Sequence, residues 1–249
     1  MSATTRRRPV IAIDGPAGAG KSTAAMALAR ALGYLYVDTG AMYRALTLVA
    51  LRRGVDPGDG PSLERLAADV RIETVFRGEE VPPYRVLADG EDVTEAIRRP
   101  EVSGAVSQVS AHPGVRNLMA EAQRRLARGG GVVMEGRDVG TVVLPEADLK
   151  FFITASPGER ARRRHRELLE KGIRISREEV ERDISRRDLL DSTRPTAPLR
   201  RAPDALLVDT TGLTPEEVLR RLLEAVEELL GIGGVGKGAG SAPAGGGGS

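Results

Sequence analysis

Gly15-Pro16-Ala17-Gly18-Ala19-Gly20-Lys21-Ser22 decides how the rest of the chain is read. It fills every fixed position of G-x-x-x-x-G-K-[ST], in the setting that pattern needs. An apolar run, Val10–Ile13, precedes it, and a helical pattern from Ser22 to Leu32 follows. Glycines let the backbone curl so that successive N–H groups point at one anion, and the helix N-terminus adds its dipole. Lys21 can then reach the β- and γ-phosphates of a nucleotide, and the Ser22 hydroxyl can hold Mg²⁺. The alternative is a glycine-rich turn that binds nothing; the strand before it and the helix after it count against that. The motif says nucleotide phosphate. It does not separate a kinase from an ATPase or a switch.

Outward from this loop, short apolar runs alternate with helical patterns. The runs are Val10–Ile13, Tyr34–Val37, Val132–Met134, Leu149–Ala155 and Ala205–Val208. Near-continuous apolar strands are what a parallel sheet covered on both faces requires, so the alternation predicts an α/β layered fold. Three helix starts carry S/T-x-x-E capping boxes: Ser156–Glu159, Ser176–Glu179 and Thr214–Glu217. The last opens a helix whose stripe is Leu219, Leu222, Leu223, Val226, Leu229 and Leu230. Residues 70–98 break the rhythm. Val70–Val75 and Tyr84–Leu87 alternate as half-buried antiparallel strands do, which predicts a small β insert.

Composition removes several function classes. The chain has 249 residues, enough for one large domain or one domain with an insert. Cysteine is absent, so disulfides, Cys-based zinc sites and thiol nucleophiles are excluded. With only His112 and His165, histidine metal sites and a Ser/His/Asp triad are disfavoured. The net charge is +2, which argues against a bulk electrostatic nucleic-acid binder. No run reaches the roughly 18 apolar residues of a membrane span, and the apolar stretch after Arg6-Arg7-Arg8 is too short for export, so a cytoplasmic protein is expected. Residues 1–8 are polar, and 231–249 hold ten glycines among nineteen residues; both are expected to be disordered tails. There is no internal repeat.

Three clusters refine the function. Asp38-Thr39-Gly40-Ala41-Met42-Tyr43-Arg44 follows the second strand, and strand ends of an open parallel sheet are where ligands bind. Thr39, Tyr43 and Arg44 are candidates for one side of a pocket; the alternative is a capped helix with a surface Arg. Glu135-Gly136-Arg137-Asp138 follows the strand Val132–Met134, where charges rarely serve packing; the alternative is a structural Arg137–Asp138 pair. Five of the seven residues from 160 to 166 are Arg, and Arg186, Arg187, Asp191, Arg194 and Ala197-Pro198-Leu199 come after. Such a run usually marks a solvated helix face. Beside a phosphate loop it also suits phosphoryl transfer, where catalysis is mostly clamping and neutralisation of spread negative charge.

The phosphate loop, Asp38–Arg44, Gly136-Arg137-Asp138-Val139-Gly140-Thr141 and Arg194…Ala197-Pro198-Leu199 together resemble bacterial cytidylate kinases, in order, from about Val10 to Leu230. The GRDVGT and Arg…APL segments carry far more specificity than the phosphate loop. The resemblance implies a three-layer P-loop nucleoside monophosphate kinase fold at residues 9–230. Its parts would be a parallel five-stranded core, a helical lid at about 157–190 and a small β-containing monophosphate-binding insert at about 65–100. It implies ATP and Mg²⁺ acting on CMP or dCMP. The donor side would comprise Gly15, Pro16, Ala17, Gly18, Ala19, Gly20, Lys21, Ser22, Thr23 and Arg163, with Ser22 on Mg²⁺. It maps cytosine onto Ser107, Arg116 and Asp138, and ribose and phosphate onto Arg44, Arg137, Arg187, Asp191 and Arg194, beside Thr39 and Tyr43. Lys21, Arg137, Arg187 and Arg194 are then the catalytic set. Small-molecule substrates only, no nucleic acid, no membrane and a monomer are expected. Glu135 stands where Asp also occurs in the family, which leaves its role open.

The chemistry of cytosine agrees with that assignment. Its N4 amine is a donor that a carboxylate such as Asp138 can accept, while N3 and O2 accept from an Arg such as Arg116. Uracil offers the opposite polarity at position 4 and at N3, so a preference for CMP over UMP follows. The rivals are a P-loop kinase for another acceptor (AMP, UMP or shikimate), a nucleotide switch that transfers nothing, and an RNA or DNA binder using the Arg runs. Against the last stand only seven aromatic residues for stacking.

Overall fold

The strand ahead of the phosphate loop, β1 (Val10–Asp14), is buried at all five positions. A strand with no solvent face must lie inside a sheet covered on both sides. A computed structural model describes residues 8–76, 84–170 and 172–231 and has β1 at the centre of such a sheet. The other strands are β2 (Leu35–Asp38), β6 (Val132–Gly136), β7 (Leu149–Thr154) and β8 (Leu206–Asp209), in the order β2-β6-β1-β7-β8, all parallel. Each of the five predicted strands is present, displaced at its ends by two residues at most. Ile11, Ile13, Met134 and Phe151 are fully buried, and each contributes about 1.5–3 kcal/mol through apolar burial.

Helices cover both faces: α1 (Lys21–Leu32), α2 (Thr39–Arg52), α3 (Gly60–Asp69), α4 (Pro100–Val109), α5 (Pro113–Ala127), α6 (Pro157–Glu170), α7 (Arg177–Thr193) and α8 (Pro215–Leu230). The insert is an antiparallel sheet of β3 (Ile72–Phe76), β4 (Tyr84–Ala88) and the two-residue β5 (Glu91–Asp92). Residues 77–83 of the expected insert lie outside the described residues. So do residues 1–7 and 232–249 of the expected tails.

Four local expectations are corrected. Arg8 is not tail: its guanidinium donates to Gly33 O at 2.8 Å and lies 4.9 Å over the Tyr34 ring. Gly231 is the left-handed C-cap of α8 and so belongs to the helix. The boxes at Ser176 and Thr214 are complete, but the one at Ser156 is half made. Ser156 Oγ accepts from Glu159 N at 3.3 Å, while Ser156 N donates to Thr211 Oγ1 and the Glu159 carboxylate turns to Arg162 and Arg163. On α8 the core-facing stripe centres on Val218, Leu222 and Val226, leaving Leu229 exposed.

The crossing from β1 into the phosphate loop is tight. Gly15 has φ +150°, and a Cβ there would stand 1.9 Å from the backbone carbonyl of Ile153 on β7. Gly15→Ala is therefore expected to cost about 3 kcal/mol through overpacking, lowering Tm by about 6–12 °C in a thermal melt. An unchanged Tm would mean that β7 yields freely at this point.

Candidate active site

The parallel registers pair Asp38 with Glu135 and Asp14 with Gly136, so three carboxylates leave the sheet at one edge. The phosphate loop starts at the same edge. Gly20 adopts the left-handed conformation, φ 87°, and caps α1. Lys21 is buried and donates to Pro16 O at 2.8 Å. Burial and then Arg137 push its amine down to about 7, against the pull of Glu135, Asp14 and Asp191. Ser22 and Thr23 are exposed at the first turn of α1. Ser22 lies close enough to the Glu135 carboxylate to draw its pKa down against burial.

Glu135 now has definite neighbours. Its carboxylate accepts from Tyr36 Oη at 2.7 Å, and its carbonyl accepts from the Thr39 hydroxyl at 2.8 Å. Burial, followed by Asp38, raises its pKa. Asp38 caps α2 by accepting from Ala41 N at 2.9 Å, and Tyr84 of the insert approaches it at 3.4 Å. Thr39 is thus held by backbone, and Gly136 is the residue that lets it sit so close: a Cβ there would lie 2.5 Å from Thr39 Oγ1.

The loop after β6 holds the next group of candidate residues. Val139–Val143 form a single π turn. Asp14, a residue the sequence reading passed over, accepts from Val139 N at 2.8 Å and Gly140 N at 2.7 Å and so fastens this turn to the end of β1. Burial raises the Asp14 pKa to about 6 even against these two hydrogen bonds. The folded value lies above the ordinary 3.8, so this group's stabilising contribution is present at low pH and is lost as pH rises through about 6. Measured against Asp14→Asn, the wild type should gain up to about 3 kcal/mol between pH 8 and pH 4. A pH-independent difference would refute the shift. The sequence signal was available: an acid closing a fully apolar strand is costly unless it is bonded.

Asp138 is buried and accepts from Arg116 Nη2 at 2.6 Å and from Arg194 Nη2 at 3.4 Å. Arg116, on α5, also donates to Ser110 O at 2.9 Å at the end of α4, the helix of Ser107. Its guanidinium lies 5.4 Å over the Tyr43 ring, and burial pushes the Tyr43 hydroxyl up to about 12. Ser107 itself is half-buried. The expected alternative of an Arg137–Asp138 pair is not made: Arg137 Nε donates instead to Asp191 at 2.8 Å. Burial alone would raise Asp191, but Arg137, Arg194 and Arg187 overcome it and hold the carboxyl below its usual range.

The arginines divide by what neutralises them. Arg137 and Arg194 face Asp191, and Arg194 also holds Ala197 O at 2.7 Å, where Ala197 has φ 51°. Among the described residues Arg44 and Arg187 make no ion pair, and the Nε of Arg187 is buried without a hydrogen-bond partner. Burial, then Arg137 and Arg44, push Arg187 down to about 10, so it stays charged at neutral pH among like charges. A site that gathers cations beyond its own acids suits an anionic ligand. The Arg run on α6 is mixed. Arg162 and Arg166 are exposed and paired with Glu159 and Glu170, as a solvated face would be. Arg163 instead donates to Glu159 and to Thr210 Oγ1 and O, beside Gly20.

Residues 11–228 match the family described as Cytidylate kinase. A cytidylate kinase of Geobacillus kaustophilus is 54% identical over 228 residues, covering 91% of this chain and all of the relative. One from Pelotomaculum thermopropionicum is 53% identical over 220 residues, covering 88% of this chain and 96% of the relative. One from Geobacter sulfurreducens is 51% identical over 228 residues, covering 92% and 97%.

Proposed function

This chain belongs to the cytidylate kinase family and phosphorylates CMP or dCMP with ATP, and we propose that the residues gathered at the carboxyl edge of its sheet perform that transfer. The observation that carries the residue assignment is the buried Asp138–Arg116 pair together with Arg44 and Arg187, which make no ion pair among the described residues. A carboxylate and a guanidinium side by side match cytosine N4 and its N3/O2 edge. The neighbouring cations match a phosphate.

In this reading Gly15–Thr23 cradle the ATP phosphates with backbone N–H groups, Lys21 spans the β- and γ-phosphates and Arg163 flanks the loop. Asp138, Arg116 and Ser107 hold the base, with Tyr43 beneath the Arg116 guanidinium. Arg44, Arg137, Arg187 and Arg194 hold the acceptor phosphate, with Asp191 orienting Arg137 and Arg194 and Thr39 bracing the loop. No general base is required. The nucleophile is a phosphomonoester oxygen, whose second pKa is about 6, so it is already largely dianionic at neutral pH. Its oxygen bonds to the γ-phosphorus as the β–γ bridging bond breaks, and ADP leaves. The difficulty is bringing two anions together, which the arginines relieve by charge and orientation.

The donor set also suits Mg²⁺, which takes oxygen ligands, one or two carboxylates and substrate phosphates. The exposed Ser22 hydroxyl at the first turn of α1, with the paired strand-end acids Glu135 and Asp38 near it, supplies that chemistry. Ser22 would hold the ion and the two acids its waters; bound there, it neutralises phosphate charge. No helix among the described residues is long and apolar enough to cross a membrane. A cytoplasmic monomer is our reading, supported by a clamp drawn wholly from one chain; sedimentation tests it.

The experiment is ADP release from MgATP with CMP, dCMP, UMP, AMP and no acceptor in parallel. Turnover confined to CMP and dCMP is expected. Equal kcat/KM for CMP and UMP would discard the base pocket while keeping the kinase.

A further inference from the structure

Arg160 does something that no other arginine of its run does. It sits in the first turn of α6 and is 7% exposed. Its Nε donates to Ala155 O at 3.1 Å, at the end of β7. Its Nη1 donates to Ala17 O at 3.1 Å, inside the phosphate loop, and to Asp188 Oδ2 on α7 at 2.5 Å. Gly18 makes the approach possible, since a Cβ there would stand 3.2 Å from the Arg160 Cβ and carbonyl. Asp188 directly follows Arg187 and stands three residues before Asp191. Its second oxygen, Oδ1, is buried with no hydrogen-bond partner. One guanidinium thus joins the sheet edge, the donor loop and the helix that carries two acceptor-side residues. A guanidinium can do this because its donors form a rigid planar fork; an ammonium cannot span the same three acceptors.

We propose that Arg160 and Asp188 are positioning residues for phosphoryl transfer, whose ion pair sets α7, and with it Arg187 and Asp191, at a fixed distance from the phosphate loop. The inference rests on the kinase reading above. ATP is held by the loop and CMP by the base pocket and clamp, so loss of the pair leaves each substrate its own contacts. What suffers is their mutual alignment, and misplacement by about 1 Å can cost about 100-fold in rate. The signature is therefore a fall in kcat with both KM values nearly unchanged. A purely structural role would instead lower Tm and active fraction together, with kcat per folded site intact.

The test compares wild type, Asp188→Asn, Arg160→Met, Arg160→Lys and the double variant Arg160→Met/Asp188→Asn. Turnover is expressed per ATP-binding site, counted by equilibrium binding, at a temperature well below each Tm. Asp188→Asn keeps volume and fold even if Arg160→Met does not. We expect Asp188→Asn to lower kcat about 30- to 100-fold with KM for ATP and CMP within about threefold. Arg160→Lys should recover part of the loss, and the double variant should be no slower than Arg160→Met, as for groups that act as one unit. Unchanged kcat per site in Asp188→Asn, or strictly additive losses, would overturn the proposal. Wild type without CMP-dependent turnover would instead overturn the functional reading beneath it.

Discussion

Arg187→Ala should lower kcat by about 10³-fold while Tm holds or rises. The two effects have one cause. Arg187 is half-buried among Arg137 and Arg44, its Nε has no partner, and burial, followed by these neighbours, depresses its pKa to about 10. In the free protein, burial and the like charges outweigh what Asp183 and Asp191 return to that charge, so removing it relieves more repulsion than it forfeits attraction. The transition state gains much, because charge spread over a transferring phosphoryl group meets a donor already in place. A thousandfold loss corresponds to about 4 kcal/mol of transition-state stabilisation. Arg137→Ala makes the informative contrast. It also removes a clamp donor, but it strips Asp191 of its 2.8 Å partner and so should lower Tm as well as kcat. Turnover and thermal melts on the two variants separate the cases. Arg187→Ala with kcat within threefold of wild type would remove Arg187 from the clamp.

Asp138→Asn should collapse the preference for CMP over UMP by about 10³-fold. In the free protein Asp138 gives Oδ2 to Arg116 at 2.6 Å, while Oδ1 receives only the long 3.4 Å contact from Arg194. A carboxylate has lone pairs for about four donors, so Oδ1 can accept cytosine N4 without breaking the Arg116 pair. The amide of Asn presents a donor there as readily as an acceptor, and uracil O4 can use it. A site built on hydrogen bonds rejects the wrong partner by leaving polar groups unpaired, which is why the loss is large. Removing one partner of a buried pair also costs about 3–5 kcal/mol of stability, so the ratio of the two kcat/KM values, taken well below Tm, is the quantity to measure. A ratio equal to wild type would move base recognition to other residues.

How much of this was legible beforehand differs from residue to residue. The phosphate loop was readable because its chemistry is written within eight consecutive positions. The five strands were readable because strands buried on both faces are apolar without interruption. Arg116, Asp138, Asp191 and Arg194 were named from motif resemblance, and the fold brings them into one ion-pair network. Asp14, Tyr36, Tyr84, Arg160 and Asp188 were not found. Each matters through a partner far along the chain: Asp14 through Val139, 125 residues away, and Arg160 through Ala17, 143 residues away. Within the run 160–166 nothing local separates the buried Arg160 from the exposed Arg162 and Arg166.

The sequence by itself determined the fold class and the family, because those depend on short-range spacing and on residue types that the chemistry demands. The tertiary structure alone decided the strand order that brings Asp14, Asp38 and Glu135 to one edge. It also decided which arginines are neutralised and which are held ready. Burial and Coulomb neighbours set those charges, and both are properties of which distant segments meet rather than of the order in which residues are written.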